Sequence, residues 1–212
     1  MDDWMNRFKQ LGALWVHDGE PKRPHALLTA GGHSDGFFNG SRIVEDPTML
    51  CHVVTAFFAA YCREEGTVLP DRVIGSAHGA TPLAVELGRM MGCKIGWTEP
   101  QSDGSMLLKR FDVRGQCVLV VEDVMTSGAT TRSIIEAVQA AGGAVLRLVL
   151  VVFNRSRMTA LDGRPIISLV HHPLNEWKVQ QWGTCPLCAQ GSEAVRPKAN
   201  WAALTADYPQ EG

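Results

Sequence analysis

A mainly parallel α/β fold is the class that this sequence predicts, on the basis of four segments. Residues 116–122 and 144–153 are almost entirely apolar, as expected of strands buried on both faces of a parallel sheet. Between them, apolar residues recur at helical spacing over 130–141. Residues 72–77 predict another short strand, which leads into a turn and a possible helix start. Together they predict βα units around a central sheet.

In residues 1–82, the spacing of apolar residues and the positions of glycine and proline predict the helices and strands. Apolar residues at helical spacing over 2–15 predict an amphipathic first helix. Two short extended pieces around a Gly-rich turn predict a hairpin-like element over 26–39. Residues 47–65 predict a long helix. Thr81 is then a candidate cap for a helix that has Pro82 at its first position.

The middle of the chain alternates short strands and loops. Residues 94–98 predict a strand, and 106–111 predict a short return strand. The loop between them, 99–105, is polar and has no apolar anchor, so we expect it to be mobile. Residues 166–170 predict one more strand. Neither an internal repeat nor a linker is visible, which favours one compact domain.

Length and charge limit the function classes. The chain has 212 residues, 45% of them hydrophobic, and a formal net charge of -2. This charge argues against a general nucleic-acid binder, which normally carries a basic face. No apolar run approaches the ~20 residues of a membrane span, and the acidic N-terminus does not resemble a secretory signal. We therefore expect a cytoplasmic protein without a nucleic-acid or membrane partner.

Residues 118–130 hold the most informative motif. The predicted strand ends in Glu122 and Asp123, and open α/β sheets bind ligands at the carboxyl ends of their strands. A turn of small and hydroxyl residues then opens a helix, where unpaired N–H groups and the helix dipole favour an anion. This pattern predicts a site for a phosphorylated sugar. The predicted phosphate contacts are Thr126, Ser127, Gly128, Ala129 and Thr130.

Two common phosphate motifs do not fit this stretch. It contains neither the Gly-Lys-Ser/Thr of a P-loop nor the GxGxxG of a dinucleotide fingerprint. The remaining alternative to a phosphate site is an ordinary βα turn with an incidental acidic pair and a Thr/Ser helix cap.

The motif resembles the phosphoribosyl-pyrophosphate (PRPP) loop of type I phosphoribosyltransferases. That loop has four apolar residues, two acids, two apolar residues and then a Thr/Ser/Gly-rich turn. The resemblance implies the fold of that family: a central, mainly parallel sheet flanked by helices, with a small hood from the N-terminal region. It also implies that Glu122 and Asp123 are catalytic and hydrogen-bond the ribose hydroxyls, while the turn holds the 5′-phosphate.

Further segments between about 26 and 155 are similar to orotate phosphoribosyltransferases. Residues 28–39 resemble that family's segment near the base, which implies that Phe37 and Phe38 form an aromatic wall for the pyrimidine. The alternative is that both rings are core. The resemblance also implies orotate contacts from Thr126 and from Arg155, whose guanidinium suits a planar carboxylate. Arg155 as a solvated charge at a strand end is the alternative.

Two more loops carry the same resemblance. Residues 74–84 resemble the family's pyrophosphate loop, which implies diphosphate contacts from three residues: Ala77, His78 and Gly79. Residues 98–110 take the place of the flexible catalytic loop and resemble the shorter-loop branch associated with Thermus. Lys109 and Arg110 are then implied to stabilise the departing pyrophosphate. Thr29 and Gly79 stand where the better-known branch usually has lysines.

The resemblance implies transfer of phosphoribosyl from PRPP to orotate, giving orotidine 5′-monophosphate and pyrophosphate in pyrimidine (UMP) biosynthesis. It implies Mg²⁺ as the cofactor, carried by the pyrophosphate of PRPP and not caged by protein ligands. It also implies a homodimer. A phosphoribosyltransferase for another base and a non-catalytic PRPP or nucleotide sensor stay open as alternatives, the former favoured by Thr29.

The cysteines do not form a disulfide pattern, because four of the six lie in apolar segments. Cys185 and Cys188 form a CxxC in a polar tail and are possible zinc ligands, with His171 and His172 as conceivable further ligands. A plain turn or a redox-silent thiol pair is the alternative. The predicted organisation is a single domain over 1–212, with a helix and hood at about 1–45, a core at 46–170 and a CxxC extension at 171–212.

Overall fold

The computed structural model describes residues 3–66, 69–178 and 185–206 and separates into two compact units. The first unit comprises Met1–Asn39 and Leu174–Gly212, and the second comprises Gly40–Pro173. The predicted hood and the predicted C-terminal extension thus belong to the same unit. In the described part of the chain, no helix has both the length and the apolar character needed to cross a bilayer.

The described residues contain seven helices and thirteen strands. The helices are α1 Trp4–Gln10, α2 Ser41–Val44, α3 Pro47–Glu65, α4 Thr81–Met91, α5 Ala129–Ala140, α6 Pro186–Ala189 and α7 Trp201–Thr205. The strands of the first unit are β1 Leu14–Val16, β2 His25–Leu27, β3 His33–Ser34, β4 Gly36–Phe38, β12 Glu176–Trp177 and β13 Ala194–Val195. Those of the second unit are β5 Arg72–Ser76, β6 Lys94–Pro100, β7 Met106–Leu107, β8 Cys117–Met125, β9 Ala144–Asn154, β10 Ala160–Leu161 and β11 Arg164–His171.

The second unit is built on one seven-stranded sheet, ordered β10-β11-β9-β8-β5-β6-β7. The five central strands pair in parallel, and only the two short outer strands, β10 and β7, are antiparallel. The predicted parallel α/β class is therefore confirmed. Val118 and Val120 of β8 are fully buried on the face covered by α5, where they pack with Ile134 and Val138. The apolar strands thus carry the core, as their sequence predicts.

The boundaries of α3 agree with the sequence prediction. Asp46 caps its first turn, because its carboxylate accepts hydrogen bonds from Thr48 N at 2.9 Å and Met49 N at 3.1 Å. Pro47 occupies the first helical position, where its missing N–H costs nothing. Gly66, at φ +69°, ends the helix.

The predicted first helix is too long. The helix ends at Gln10, and Gly12 then adopts φ +71°, which a residue with a side chain rarely accepts. Leu14 and Trp15 instead form β1, which pairs antiparallel with β4. Their helical spacing therefore misled the prediction, because a strand partner more than twenty residues away along the chain decided their conformation.

Two other local predictions need correction. Thr81 is the first residue of α4 and not its cap; the cap position is Ala80, and no side chain bonds there. The return strand predicted over 106–111 is only β7, since pairing with Glu99–Pro100 stops after two residues. The predicted hairpin at 26–39 is confirmed, because β2 and β3 pair antiparallel around the Gly31–Gly32 turn.

Candidate active site

The candidate site lies at the sheet edge of the second unit where the central parallel strands end. β5 and β8 are neighbours, but β5 connects through α4 to β6 on one side and β8 connects through α5 to β9 on the other, so the chain leaves these two strands in opposite directions. Loops that leave neighbouring strands in opposite directions open a crevice between them, and such crevices bind ligands. The loops after β5 and β8 are the two that hold the predicted pyrophosphate and phosphate contacts.

Glu122 lies in this crevice but is buried. It is 3% exposed, and its Oε1 accepts a short hydrogen bond from Ser76 Oγ on the neighbouring strand. The register pairs Gly75 with Val121, which places Ser76 next to Glu122. Burial, with a smaller contribution from the Asp123 charge, raises the pKa of Glu122 to about 8, although the Ser76 bond acts in the opposite direction.

This shift changes the role expected for Glu122. With a pKa of about 8 the carboxyl is mostly protonated at neutral pH, so it supplies less negative charge than the sequence suggested. A protonated carboxyl donates as well as accepts hydrogen bonds. It can therefore hold a ribose hydroxyl without placing a full charge beside the sugar.

We predict that Glu122→Gln stabilises the protein increasingly as the pH rises from about 5 to 8. In this window the folded state keeps a proton that the unfolded carboxyl, with a pKa near 4.5, has released. The wild type therefore loses about 1.4 kcal/mol of unfolding free energy per pH unit, and the variant does not. Urea unfolding at several pH values measures the difference. The exposed Glu64→Gln is the control, and a pH-independent difference for Glu122→Gln would contradict the prediction.

Asp123 is held by backbone on both sides. Its Oδ1 accepts a hydrogen bond from Val124 N at 2.9 Å. A Cβ built on Gly40 would lie 2.7 Å from Asp123 Oδ2, and one built on Gly79 would lie closer still. Both positions therefore need glycine, because any side chain there would push the carboxylate away. The loop after β5 thus lies directly against the acidic pair.

The small-residue turn adopts the geometry that the sequence predicts for an anion site. Gly128 caps α5 at φ +73°, and no side chain bonds at this cap. A Cβ on Gly128 would lie 2.7 Å from Leu161 Cδ1, so glycine is required by space as well as by φ. The residues around it are exposed at the start of the helix: Thr126, Ser127, Ala129 and Thr130. The first turn of α5 is therefore open to a phosphate.

The three residues of the predicted pyrophosphate loop differ in what they offer. Ala77 N donates to Thr98 O at 2.9 Å, so its N–H is already used and the predicted diphosphate contact through this amide is not available. Across the described ranges, the N–H groups of His78 and Gly79 meet no protein acceptor. Ala77 and His78 line a cavity of about 740 Å³. The backbone N–H groups of His78 and Gly79 thus lie on the side of the crevice formed by the loop after β5.

Both predicted catalytic cations are held by one acid. Lys109 Nζ lies 3.4 Å from Glu99 Oε2, and Arg110 Nε lies 3.2 Å from Glu99 Oε1. The Arg110 hydrogen bond, followed by that of Lys109, lowers the pKa of Glu99. Glu99 and Arg110 line the same cavity as Ala77 and His78. The structure therefore places Arg110 at the cavity beside the predicted pyrophosphate loop.

The predicted orotate contacts fall in different units. Arg155 is buried just after β9. Its backbone N–H donates to Met125 O at 3.0 Å, so Arg155 adjoins the turn that begins with Thr126. A solvated charge is therefore excluded for Arg155. Phe37 and Phe38 lie in the first unit. Phe38 is buried against Phe8, which favours a core role, whereas Phe37 is half-buried and meets the Trp201 ring edge-on. The aromatic wall stays a prediction.

Comparison with known proteins identifies the chain's family. A family model described as the phosphoribosyl transferase domain matches residues 52–188, well over half of the chain. The chain belongs to the phosphoribosyltransferase family. The matched region contains β5, β8, α5 and the crevice between them.

Curated relatives and solved structures agree with this assignment. An orotate phosphoribosyltransferase of Acidithiobacillus ferrooxidans is 34% identical over 194 residues, which cover 87% of this chain and 93% of the relative. The crystal structure of orotate phosphoribosyltransferase from Aeropyrum pernix aligns with a TM-score of 0.61 at 21% identity, over 77% of this chain and 90% of that one. Adenine phosphoribosyltransferase from Saccharomyces cerevisiae aligns with a TM-score of 0.56 at 14% identity, over 80% and 100%. The type I phosphoribosyltransferase fold is thereby confirmed, and this fold serves more than one base.

Two features of this phosphoribosyltransferase site escaped the sequence analysis. Ser76, the partner of Glu122, is an ordinary strand residue until the register of β5 against β8 is known. Gly40 lies outside every motif, and its only signal is its contact with Asp123. Both depend on pairings between distant segments, which a single sequence does not display.

Proposed function

We propose that this phosphoribosyltransferase acts on orotate and makes orotidine 5′-monophosphate and pyrophosphate from PRPP in pyrimidine biosynthesis. The observation that supports it most directly is the crevice between β5 and β8. There the acidic pair, the open first turn of α5 and the N–H groups of His78 and Gly79 share one sheet edge. The choice of orotate rests on the relatives, which are named orotate phosphoribosyltransferase and are 30–34% identical.

The chemistry is displacement at C1 of PRPP: the bond from C1 to the pyrophosphate oxygen breaks, a bond from C1 to a ring nitrogen of orotate forms, and the proton of that nitrogen is released to the departing pyrophosphate or to water. We assign the 5′-phosphate to the turn before α5 and the ribose hydroxyls to Glu122 and Asp123. The negative charge of Asp123 would face the positive charge that develops on the sugar. The N–H groups of His78 and Gly79 would hold the pyrophosphate.

Mg²⁺ fits the donor chemistry of the crevice, which offers carboxylate and hydroxyl oxygens. When bound, the ion would neutralise charge on the pyrophosphate. We expect it to arrive on the oxygens of PRPP, with water completing its coordination, because Mg²⁺ gives up water reluctantly.

A panel of bases tests this function. The protein is mixed with PRPP, Mg²⁺ and either orotate, uracil, adenine or hypoxanthine. Loss of orotate absorbance that needs both PRPP and Mg²⁺ supports the proposal. Turnover of another base but not of orotate would replace it with a phosphoribosyltransferase of that base. PRPP binding in calorimetry without turnover of any base would indicate a sensor.

We predict that Arg110→Gln lowers kcat by about 10- to 100-fold, with a smaller change in KM for orotate, because Arg110 stabilises charge on the departing pyrophosphate. Steady-state kinetics with both substrates measure the two constants. Arg114→Gln is the matched control, since its guanidinium is exposed and paired with Asp112 outside the cavity. Equal losses in the two variants would argue against the role assigned to Arg110.

We also propose a homodimer in which the loop carrying Arg110 moves out of the cavity of its own subunit, which it lines in this structure, and serves the neighbouring subunit's site. Mixing the Asp123→Asn and Arg110→Gln variants tests it, because a mixed dimer then holds one intact site. After subunit exchange we expect about a quarter of the wild-type activity to return. Mixtures that stay as inactive as their components would contradict an active site shared between subunits. The cytoplasmic location stays a prediction.

A further inference from the structure

Four potential metal ligands converge in the first unit, and none of them is a residue assigned to the reaction. They are His25 on β2, His33 on β3, and Cys185 and Cys188 at either end of a CxxC turn. Their donor atoms all lie within 4.8 Å of one another. The two histidines belong to the N-terminal hairpin and the two cysteines to the C-terminal segment, so folding has brought together residues about 160 positions apart.

The separations of the donor atoms fit a tetrahedral zinc ion. His25 Nε2 lies 3.0 Å from His33 Nδ1, 3.4 Å from Cys185 Sγ and 3.5 Å from Cys188 Sγ. Cys188 Sγ lies 3.3 Å from His33 Nδ1. Bonds of about 2.0–2.1 Å to nitrogen and 2.3 Å to sulfur place tetrahedral ligands about 3.3–3.7 Å apart. The four separations given above differ from these values by a few tenths of an ångström, and the remaining two, from Cys185 Sγ to His33 Nδ1 and to Cys188 Sγ, are at most 4.8 Å.

Hydrogen bonds behind His25 point its lone pair into the cluster. Ser192 Oγ donates to Arg23 O at 2.5 Å, so it accepts from His25 Nδ1–H at 2.7 Å. With the proton on Nδ1, Nε2 is left as the unprotonated nitrogen that faces the two sulfurs. Zinc-binding histidines usually donate their other N–H to such a partner, which sets the tautomer and the ring orientation.

The position and the burial of the two cysteines also suit metal binding. Cys188 N donates to Cys185 Sγ at 3.3 Å, which fixes the position of this sulfur within the CxxC turn. Cys185 is 1% exposed, and Cys188 is half-buried. Two imidazoles and two thiolates form one of the common ligand sets of structural zinc, and such soft ligands do not suit Mg²⁺ or Ca²⁺.

The chain around the cluster has only a small apolar core. In the range 185–206, the buried side chains are Cys185, Ser192, Pro197 and Leu204. The C-terminal segment also joins the N-terminal residues through the short pairing of β13 with β2, through hydrogen bonds from Arg23 Nη1 to the carbonyls of Leu204 and Ala206, and through a small apolar cluster of Trp15, Ala26 and Leu204. So small an apolar core gives little stability on its own, and small units of this kind are commonly stabilised by a metal.

We propose that His25, His33, Cys185 and Cys188 bind a structural Zn²⁺ that joins the C-terminal segment to the N-terminal hairpin. All four positions are taken by protein ligands, which is typical of structural and not catalytic zinc. His25 and His33 replace the His171 and His172 suggested by the sequence. His171 ends β11 in the second unit, where its Nε2 lies 3.0 Å from Ser156 O.

Metal analysis of the full-length protein, purified under reducing conditions without chelators, tests the proposal. We expect about one zinc per chain in the wild type and in Cys51→Ser and His52→Ala, which alter exposed residues of α3. Cys188→Ser and His33→Ala should each lose most of it. Zinc retained by both cluster variants, or lost equally from the control variants, would overturn the proposal.

Two measurements on the wild type keep the test valid if a cluster variant fails to fold. Cobalt exchanged for zinc should show the absorption of tetrahedral Co²⁺ with sulfur charge-transfer bands, and chelation should lower Tm by about 5–10 °C. Re-added Zn²⁺ should restore it. A protein that takes up neither ion under reducing conditions, or whose thiol titration shows Cys185 and Cys188 joined as a disulfide, would overturn the zinc site. Neither result depends on which base is the substrate.

Discussion

Asp123→Asn is expected to lower kcat by about 100- to 1,000-fold while leaving the protein folded. The variant keeps the shape of the side chain but removes its charge. We propose that this negative charge stabilises the positive charge that develops on the ribose ring. Because the carboxylate is only partly buried and contacts the backbone of Gly40 and Gly79, an amide of the same size fits in its place.

Steady-state kinetics and a thermal melt of the same preparation separate the two effects of Asp123→Asn. The matched control is Glu64→Gln, which removes one negative charge from an exposed position on α3. Its kcat and Tm should stay at wild-type values. Wild-type turnover by Asp123→Asn would show that the acidic pair does not act on the sugar. A large fall in Tm that accompanies the loss of activity would instead assign Asp123 a structural role.

Gly79→Ala is expected to lower kcat by about 10- to 100-fold through position alone. The new methyl group would overlap the Asp123 carboxylate, so that the acid or the loop after β5 must move. A displacement of about 1 Å in a reacting group can cost about 100-fold in rate. The φ of Gly79 lies outside the left-handed region, so the effect would come from contact and not from backbone strain.

Gly115→Ala is the control that shows how far a loss of stability alone changes kcat. Gly115 adopts φ +69°, but a Cβ there would meet open space, so alanine adds strain without touching the site. Its Tm should fall while its kcat holds. Gly40→Ala should resemble Gly79→Ala, since its Cβ would lie 2.7 Å from the same carboxylate. Wild-type kcat in both site variants would contradict the close packing of the two loops on Asp123.

The elements that the sequence predicted correctly are those determined by neighbouring residues. α3 begins and ends where the residues around Asp46 and Gly66 indicate, because caps and helix ends are local. The parallel strands were recognised because burial on both faces demands continuous apolar runs. The order of acidic pair, small turn and helix was visible for the same reason: all of it lies within residues 118–130.

The relations between distant segments could not be read in this way. Trp15 belongs to a strand because β4 pairs with it, although its spacing is helical. Ser76 bonds Glu122 because β5 and β8 are neighbours in one register, and that burial raises the pKa of Glu122. The partners of the CxxC are His25 and His33, which are near it in space and far along the chain.

Sequence alone thus determined the family resemblance, the strands of the parallel sheet and the small-residue turn before α5, since each is encoded by contiguous residues. Tertiary structure decided which acid is buried, which glycines contact the other acid and which histidines meet the cysteines. The physical reason is that hydrogen bonding and desolvation act through space over a few ångströms. Only chain folding brings residues such as Ser76 and Glu122 within that range.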